Sequence, residues 1–239
     1  MNRPVLKALL LVAIVSATIA SCAEGDGGGD EPSVVATVRP ASTVDPAPLP
    51  TSTVVPLDPE VDARLDQVQI QPQDVAADAR LVNEENMNLA IVANLLAGHP
   101  DANANLTSWG FQGARAWTYR AGNTNIVVLV QVYISADGAA DAFRSFTESI
   151  SKIPATLQSN DEVTVKDVQH ATFELPPLGD DAYGTFSSVS LESKAGVMAV
   201  LESRAVVFRT GDAIVSMTSF PALGASQMIA AAQALALRV

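Results

Sequence analysis

The 239-residue chain contains one cysteine, Cys22, and is poor in basic residues, aromatic residues and histidine. A single thiol excludes a disulfide scaffold, a zinc site built on cysteines and an iron–sulfur cluster, because each of these needs several thiolates. Lys and Arg number 14 against 26 Asp and Glu, which gives a formal net charge of −12. So acidic a chain cannot neutralise several phosphates, and we expect no nucleic-acid partner. With two histidines, the sequence also predicts no metal and no cofactor.

The longest apolar run of the chain lies near its beginning. Arg3 and Lys7 lead into a run over residues 8–20 that is broken by one serine and one threonine. A basic segment followed by a short apolar run is typical of an export signal. The run is also shorter than the roughly 20 apolar residues that cross a bilayer as a helix. Residues 1–21 are therefore predicted to be a signal peptide.

The end of this run, Ile19-Ala20-Ser21-Cys22, resembles the lipobox of bacterial lipoproteins. In that family the signal is cut before the cysteine, whose thiol carries a diacylglycerol group; Ile19 stands where leucine is more frequent. The resemblance implies lipid attachment at Cys22 and a place on the extracytoplasmic face of the cell membrane. Two acyl chains anchor stably, because each buried methylene contributes about 0.8 kcal/mol. The alternative is an ordinary secretory signal that leaves Cys22 free or removes it.

Residues 22–60 are rich in glycine, proline, serine and threonine. This composition cannot bury a core, and its prolines favour extended polyproline II. We therefore expect Cys22 to be followed by a disordered linker whose reach, at about 3.1 Å per residue, is on the order of 100 Å. The remainder, residues 61–239, is predicted to form a single globular domain.

Hydrophobic periodicity predicts the elements of the first half of this domain. Residues 65–82 alternate like a strand or an extended segment. Asn83 is a typical helix cap, and the helix that it begins is expected to end at Gly98-His99-Pro100. A polar, asparagine-rich loop follows. Apolar residues on both faces of residues 125–134 predict a central strand that is covered on both sides.

The second half alternates between helical and strand periods. A period of 3.6 over residues 136–152 predicts a helix that Pro154 ends. Residues 163–168 and 182–191 are predicted strands, and residues 197–208 and 213–219 a hairpin around Arg209-Thr210-Gly211-Asp212. A closing helix over 226–237 is expected to bury Ile229, Ala232 and Leu235. This order indicates an α+β fold in which helices pack on a mostly antiparallel sheet.

Three short segments resemble recurring elements of uncharacterised envelope lipoproteins from actinobacteria and chloroflexi. They are Trp109-Gly110-Phe111, Leu178-Gly179-Asp180-Asp181-Ala182 and the run from Val206 to Val215. Those lipoproteins are similar in layout to PsbP-like modules, so the resemblance implies an α/β/α sandwich in the cell envelope. It implies no reaction, because the family has no established catalytic residues.

Four residues are candidates for binding: Trp109, Phe111, Asp180 and Asp181. The first two lie in a loop over residues 109–113 that we expect at the binding edge. Asp180 and Asp181 form a carboxylate pair suited to acid–base work, with His170 as a third candidate. The alternative is that these aspartates bond to the backbone of their own Pro/Gly loop.

Other sequence patterns resemble catalytic or ligand-binding motifs but have simpler structural explanations. Ser149-Ile150-Ser151-Lys152, with Arg209-Thr210-Gly211, approximates the motifs of serine β-lactamases, but a helix end and a hairpin turn explain both. Asp101-Ala102-Asn103-Ala104-Asn105 matches half of a calcium loop that lacks the required glycine and final glutamate. His99 and His170 have no spacing that predicts a shared metal. Trp117, Tyr119 and Tyr133 are expected in the core rather than in a sugar-stacking platform.

Together these observations predict a lipid-anchored extracytoplasmic protein with a non-catalytic domain that binds a small ligand or an envelope protein. A cell-envelope hydrolase or other enzyme that uses His170, Asp180 and Asp181 is one alternative. A sensor or assembly subunit that works through an exposed apolar patch is the other.

Overall fold

The computed structural model describes residues 56–95, 101–156 and 163–239, and leaves out the side chains of 94, 95 and 152–156. The predicted signal peptide, the lipid-attachment residue Cys22, most of the predicted linker and His99 therefore lie outside the described residues.

A seven-stranded sheet forms the centre of the domain. Its strands are β1 (Arg80–Met87), β2 (Phe111–Ala121), β3 (Thr124–Tyr133), β4 (Val163–Phe173), β5 (Asp181–Ser193), β6 (Met198–Thr210) and β7 (Ala213–Phe220). They lie in the order β1-β2-β3-β7-β6-β5-β4, and every neighbouring pair is antiparallel. The predicted α+β class with an antiparallel sheet is confirmed.

Helices cover both faces of this sheet. In chain order the described ones are α1 (Pro59–Gln67), α2 (Pro72–Val75), α3 (Leu89–Leu95), α4 (Ala102–Ser108), α5 (Ala136–Thr156) and α6 (Ala225–Ala236). Residues of α1, α2 and α6 pack on one face, which we call face A, and residues of α3, α4 and α5 pack on the opposite face, face B. Two separate apolar clusters result, because successive side chains of a strand point to opposite faces.

The central strand matches its prediction. On β3, Ile126, Val128 and Val130 are buried on face A, while Val127 and Tyr133 are buried on the opposite side. β3 is paired on both edges, with β2 and with β7. A strand that is buried on both faces reads as a continuous apolar run, which is why its sequence was unambiguous.

β1 is the element that differs most from its prediction. Residues 80–87, predicted to lead into and begin a helix at Asn83, form an edge strand, and the helix begins only at Leu89. Asn88 accepts the hydrogen bond of the Ile91 amide at 3.1 Å, so the capping role falls to Asn88. Pairing of β1 with β2 outweighs the local helix signal.

The segment before β1 is helical where an extended chain was predicted. α1 begins at Pro59, two residues before the predicted domain boundary, and the Asp58 carboxylate accepts the Glu60 amide at 2.9 Å. Val61 and Leu65 are buried one helical turn apart. This i, i+4 pair is the apolar stripe that fixes α1 on face A.

Three further predictions differ in detail. The expected asparagine-rich loop is helix α4, which buries Ala102 and Leu106 one turn apart. α5 continues past Pro154 to Thr156. In α6, Met228 is buried along with the expected Ala232 and Leu235, whereas Ile229 is only partly buried. The predicted hairpin is confirmed as β6 and β7.

Candidate functional site

The loop between β4 and β5, residues 174–180, borders a groove of about 540 Å³. The groove opens to solvent and is lined by this loop and by the adjoining ends of the two strands, including Phe173 and Tyr183. Pro176 and Pro177 stiffen the loop, since each ring fixes one backbone torsion. The buried side chain of Leu178 anchors it in the face A cluster.

Gly179 lets the loop approach the β6–β7 hairpin. Its φ is +57°, and a Cβ built at this position would lie 2.1 Å from the carbonyl oxygen of Arg209. No side chain fits in that space. The close approach allows the Asp180 amide to donate a hydrogen bond to the same Arg209 oxygen at 2.8 Å.

The carboxylates of Asp180 and Asp181 are both engaged by this hairpin. Arg209 Nε and Nη2 lie 2.9 and 2.7 Å from Asp181 Oδ2, and Nη1 lies 3.0 Å from Asp180 Oδ2. The Gly211 amide donates to Asp180 Oδ2 at 2.8 Å. The two aspartates thus have a structural role, as the alternative interpretation predicted. Their partners, however, are Arg209 and the Gly211 amide of the β6–β7 hairpin, and not the backbone of their own loop. Charge-assisted bonds of this type fix the loop on the hairpin.

Asp212, the next residue of the same turn, binds α1. Its carboxylate forms an ion pair with Arg64, whose Nη1 donates to Asp212 Oδ2 at 2.8 Å. This hydrogen bond holds the pKa of Asp212 below its ordinary value, and the positive charge of Arg64 acts in the same direction. The turn is therefore bound to the β4–β5 loop on one side and to α1 on the other.

A second ionic cluster fixes α1 at the other edge of face A. Arg115 of β2 keeps only 8% of its side chain exposed and lies 2.6 Å from carboxylate oxygens of both Asp62 and Asp66. Its Nε donates to Asn86 Oδ1 at 2.7 Å, and Glu84 Oε1 lies 3.4 Å away. One guanidinium thus joins α1 to β1 and β2.

His170 lies far from the aspartate pair. Its Nδ1 is 2.9 Å from Ser187 Oγ, and its Nε2 is buried with no hydrogen-bond partner in the described residues. Burial lowers the pKa of His170. His170 pairs with Ser187, six residues along β5 from Asp181, which is about 20 Å at 3.3 Å per residue. The three residues of the enzyme alternative do not converge.

The aromatic candidates pack inward. Phe111 begins β2 and is buried, with its ring edge-on to Tyr133 at a centroid distance of 5.7 Å. Trp109 is partly buried against the face B cluster. Trp117, Tyr119 and Tyr133 are buried, which confirms their predicted core role. The structure therefore places Phe111 in the core and not in an exposed loop.

The remaining motifs do not form a site in the described chain. Ser149 donates its hydroxyl to the Ser145 carbonyl of its own helix at 2.8 Å. Asp101 stands at the N-cap of α4, and the other residues of the half calcium loop lie in that helix. In residues 56–95, 101–156 and 163–239, no three His, Asp or Glu side chains cluster to hold a metal. No helix in these ranges is long and apolar enough to cross a membrane.

Arg209 and Arg115 organise the loops and helices of face A, although neither is predicted to do so from the sequence. In the sequence, Arg209 lies in a predicted hairpin turn and in an approximate β-lactamase motif, and no local pattern distinguishes Arg115. A signal existed for Arg209, because the two loops pair an acidic Gly-Asp-Asp with a basic Arg-Thr-Gly. Spacing along the chain does not reveal such a pairing, since 28 residues separate Asp181 from Arg209.

No protein-family model matches the chain, and no curated protein matches it. Among solved structures, it is similar to the extracellular domain of PknH from Mycobacterium tuberculosis at 12% identity and a TM-score of 0.44, over 73% of this chain and 93% of that one. It is also similar to an uncharacterised protein from Mycobacterium smegmatis, the Rv0999 orthologue, at 12% identity and a TM-score of 0.37, over 77% and 98%. At these scores the likeness says nothing about function.

Proposed function

We propose that this protein is a lipoprotein, tethered through Cys22 to the extracytoplasmic face of the cell membrane, whose α+β domain binds a ligand without catalysing a reaction. The domain stands off the membrane on a long linker, and its binding site is the groove beside the β4–β5 loop. Kinship with PsbP-like envelope modules belongs to the same proposal. Its support is the three resembling segments and the helices on both faces of an antiparallel sheet.

The tether rests on the position of the lone cysteine. Cys22 follows the only signal-like apolar run of the chain and stands where the lipobox has its modified residue. The linker that follows leads directly to α1, which the structure fixes on the sheet through Arg64 and Arg115. A chain tethered in this way holds the domain near the membrane without inserting it.

One observation favours binding over catalysis. The carboxylates of Asp180 and Asp181 are engaged by Arg209, while His170 lies about 20 Å away along the sheet. A general acid–base pair needs both groups within hydrogen-bond reach of one substrate. Asp180 and Asp181 instead hold the wall of the groove in place through Arg209.

The groove itself has the lining of a binding site. Leu175, Pro176 and Pro177 supply apolar surface, and Tyr183 supplies a hydroxyl. The carboxylate of Glu174 has no ion pair with any described residue, and it lines the same groove. Apolar walls with a few placed polar groups favour a small ligand with an apolar body. The acidic group selects one that carries an amine or another hydrogen-bond donor.

The test uses the full-length protein extracted from membranes in mild detergent. Native mass spectrometry is expected to show a retained small molecule, and Glu174→Gln with Tyr183→Phe to lose it. Asp78→Asn, an exposed acidic residue outside the groove lining, is the matched control and should retain it. Conversion of the retained molecule on incubation would instead establish an enzyme. The proposal as a whole would be contradicted if the protein retained no small molecule and the Cys22→Ser variant stayed bound to the membrane.

A further inference from the structure

β6 extends beyond the strand that flanks it. It is 13 residues long, whereas β7 has 8. β6 pairs with β5 from Met198 to Arg209, but with β7 only from Arg204 onward. In the part of the chain that the structure describes, residues 198–203 therefore have a strand on one side and none on the other. We call residues 198–203 the free edge of β6.

The direction of the backbone groups identifies which of them are unpaired. Carbonyl oxygens of Val197 and Arg209 accept the amides of Ser193 and Asp180, so odd-numbered residues point toward β5. The even-numbered Arg204 presents its carbonyl to the Ser219 hydroxyl of β7 at 3.4 Å. Because direction alternates along a strand, the N–H and C=O groups of the even-numbered residues 198, 200 and 202 point to the vacant side. Three donors and three acceptors thus stand in a row.

The side chains of the same three residues are accessible. Met198 is 56% exposed, Val200 is 59% exposed, and Glu202 is also exposed. The chain that leaves β7 does not lie in line with the strand. It turns onto face A, where the Leu223 amide donates to Ser219 Oγ at 3.0 Å. The side chains of Met198, Val200 and Glu202 are therefore accessible, whereas Ser203, the last residue of the free edge, is buried.

The two outer edges of the sheet are irregular by comparison. β1 has a register shift between Leu81 and Asn83, and β4 has one between Val165 and Asp167. Such irregularities discourage the addition of a further strand. The pairing of the free edge with β5 runs without a shift, so its outward groups keep the regular spacing that another strand requires.

We propose that the free edge of β6 binds an extended segment of a protein partner, which adds as a strand antiparallel to β6 in the line of β7. Main-chain hydrogen bonds to Met198, Val200 and Glu202 supply the affinity. The segment carries apolar residues against Met198 and Val200 and a basic residue beside Glu202, whose carboxylate has no ion pair within the described ranges. This inference goes beyond the proposed function, because it holds whether or not the groove binds a ligand.

Charge favours a partner protein over a second copy. The chain has a formal net charge of −12, so two copies meeting at this short edge repel each other, whereas a basic segment is attracted. A pairing of about five residues is also too small for the roughly 1,000 Å² that a stable dimer buries. A strand that is added from a flexible segment needs no such area, because the main-chain bonds supply much of its affinity.

The test measures amide hydrogen exchange in the full-length protein with the blocked peptide Lys-Val-Thr-Val-Lys as the probe. Without peptide, the amides of Met198, Val200 and Glu202 should exchange fast and those of Ala199 and Leu201 slowly. With peptide, the first three should slow by at least about tenfold. The same peptide with N-methylated valines cannot pair as a strand and is expected to have no effect.

Two variants complete the test. Val200→Pro removes an outward N–H without touching the bonds to β5, so the fold should persist and peptide protection should be lost. Glu202→Lys should shift the preference to Glu-Val-Thr-Val-Glu, which tests the inference even if the proline variant fails to fold. Absence of protection by the lysine peptide would overturn the proposal. So would protection that appears only with rising protein concentration, indicating a second copy, or only with phosphatidylglycerol vesicles, indicating lipid.

Discussion

Arg64 of α1 and Asp212 of the β6–β7 turn form an ion pair with two hydrogen bonds, although 148 residues separate them in the chain. The same turn carries Arg209, which binds the aspartates of the β4–β5 loop. One hairpin turn therefore fixes both α1, the helix that follows the predicted linker, and the wall of the candidate groove. Loss of either contact is expected to weaken the fold locally rather than to abolish it.

Replacement of Asp212 by asparagine tests the first contact. The folded-state pKa of Asp212 is lowered, chiefly by the hydrogen bond from Arg64, so the pair stabilises the fold fully above the unfolded pKa of about 4. That stabilisation is lost as the pH falls through the folded-state value. Since both side chains are partly exposed, Asp212→Asn should lower the free energy of unfolding by only about 0.5 to 1 kcal/mol at pH 7. Urea titrations at pH 7 and pH 3 should show the difference shrinking at the lower pH; a constant difference would exclude the ion pair as its cause.

Arg115 should contribute far more than an ordinary surface arginine. Arg115→Met leaves Asp62, Asp66 and Glu84 close together without their common cation, and we expect a loss of about 2 to 3 kcal/mol in the free energy of unfolding. The control is Arg120→Met on the same strand, where among the described residues the arginine donates only to Asn125, and the cost should stay below about 0.5 kcal/mol. If thermal or urea unfolding showed equal losses for Arg115→Met and Arg120→Met, the ionic cluster around Arg115 would contribute no additional stability.

Gly179 and Gly211 share a φ of +57° but differ in their surroundings. A Cβ at position 179 meets the Arg209 carbonyl, whereas one at 211 has nothing within 4 Å. Gly211→Ala should therefore cost only the backbone strain of about 1 kcal/mol. Gly179→Ala adds a collision with the backbone and should cost about 3 kcal/mol or more. A similar unfolding free energy for the two variants would contradict the close packing of the loop on the hairpin.

The burial of His170 should make the free energy of unfolding depend measurably on pH. Burial lowers its folded-state pKa, so the folded state disfavours the protonated ring. Stability is then full above the unfolded pKa of about 6.5 and declines as the pH falls from there toward the folded-state value. His170→Gln retains a side chain able to bond Ser187 but cannot titrate, so the decline between pH 7 and pH 5 should be smaller in this variant. An unchanged decline in denaturant titrations would assign it to other groups.

The parts of the fold that the sequence predicted are those in which local pattern and packing agree. β3 is a nearly continuous apolar run because it is buried on both faces, and α5 shows a helical period because one side packs on face B. The β6–β7 hairpin was predicted as well, since its turn residues separate two apolar runs. In each case the burial that holds the element in place also determines which positions of its sequence are apolar.

The missed elements are those fixed by distant partners. β1 is polar, and its Glu84 and Asn86 are held in a strand by Arg115 of β2, which contacts both side chains. α4 is rich in asparagine, yet Ala102 and Leu106 bury it. Tertiary contacts overrode propensity at both places. The ion pair of Arg209 with Asp180 and the free edge of β6 depend on the order and the lengths of the strands in the sheet, which no local sequence pattern encodes.

The tether is the claim on which the proposed cellular role depends, and the mass of the amino-terminal peptide tests it most directly. Protein purified from membranes of the native host and digested should yield a peptide that begins at Cys22 and carries the mass of a diacylglyceryl group. Cys22→Ala should yield no such peptide and release the protein from the membrane fraction. An unmodified amino terminus in the wild-type protein, or a variant that stays equally membrane-bound, would contradict the account.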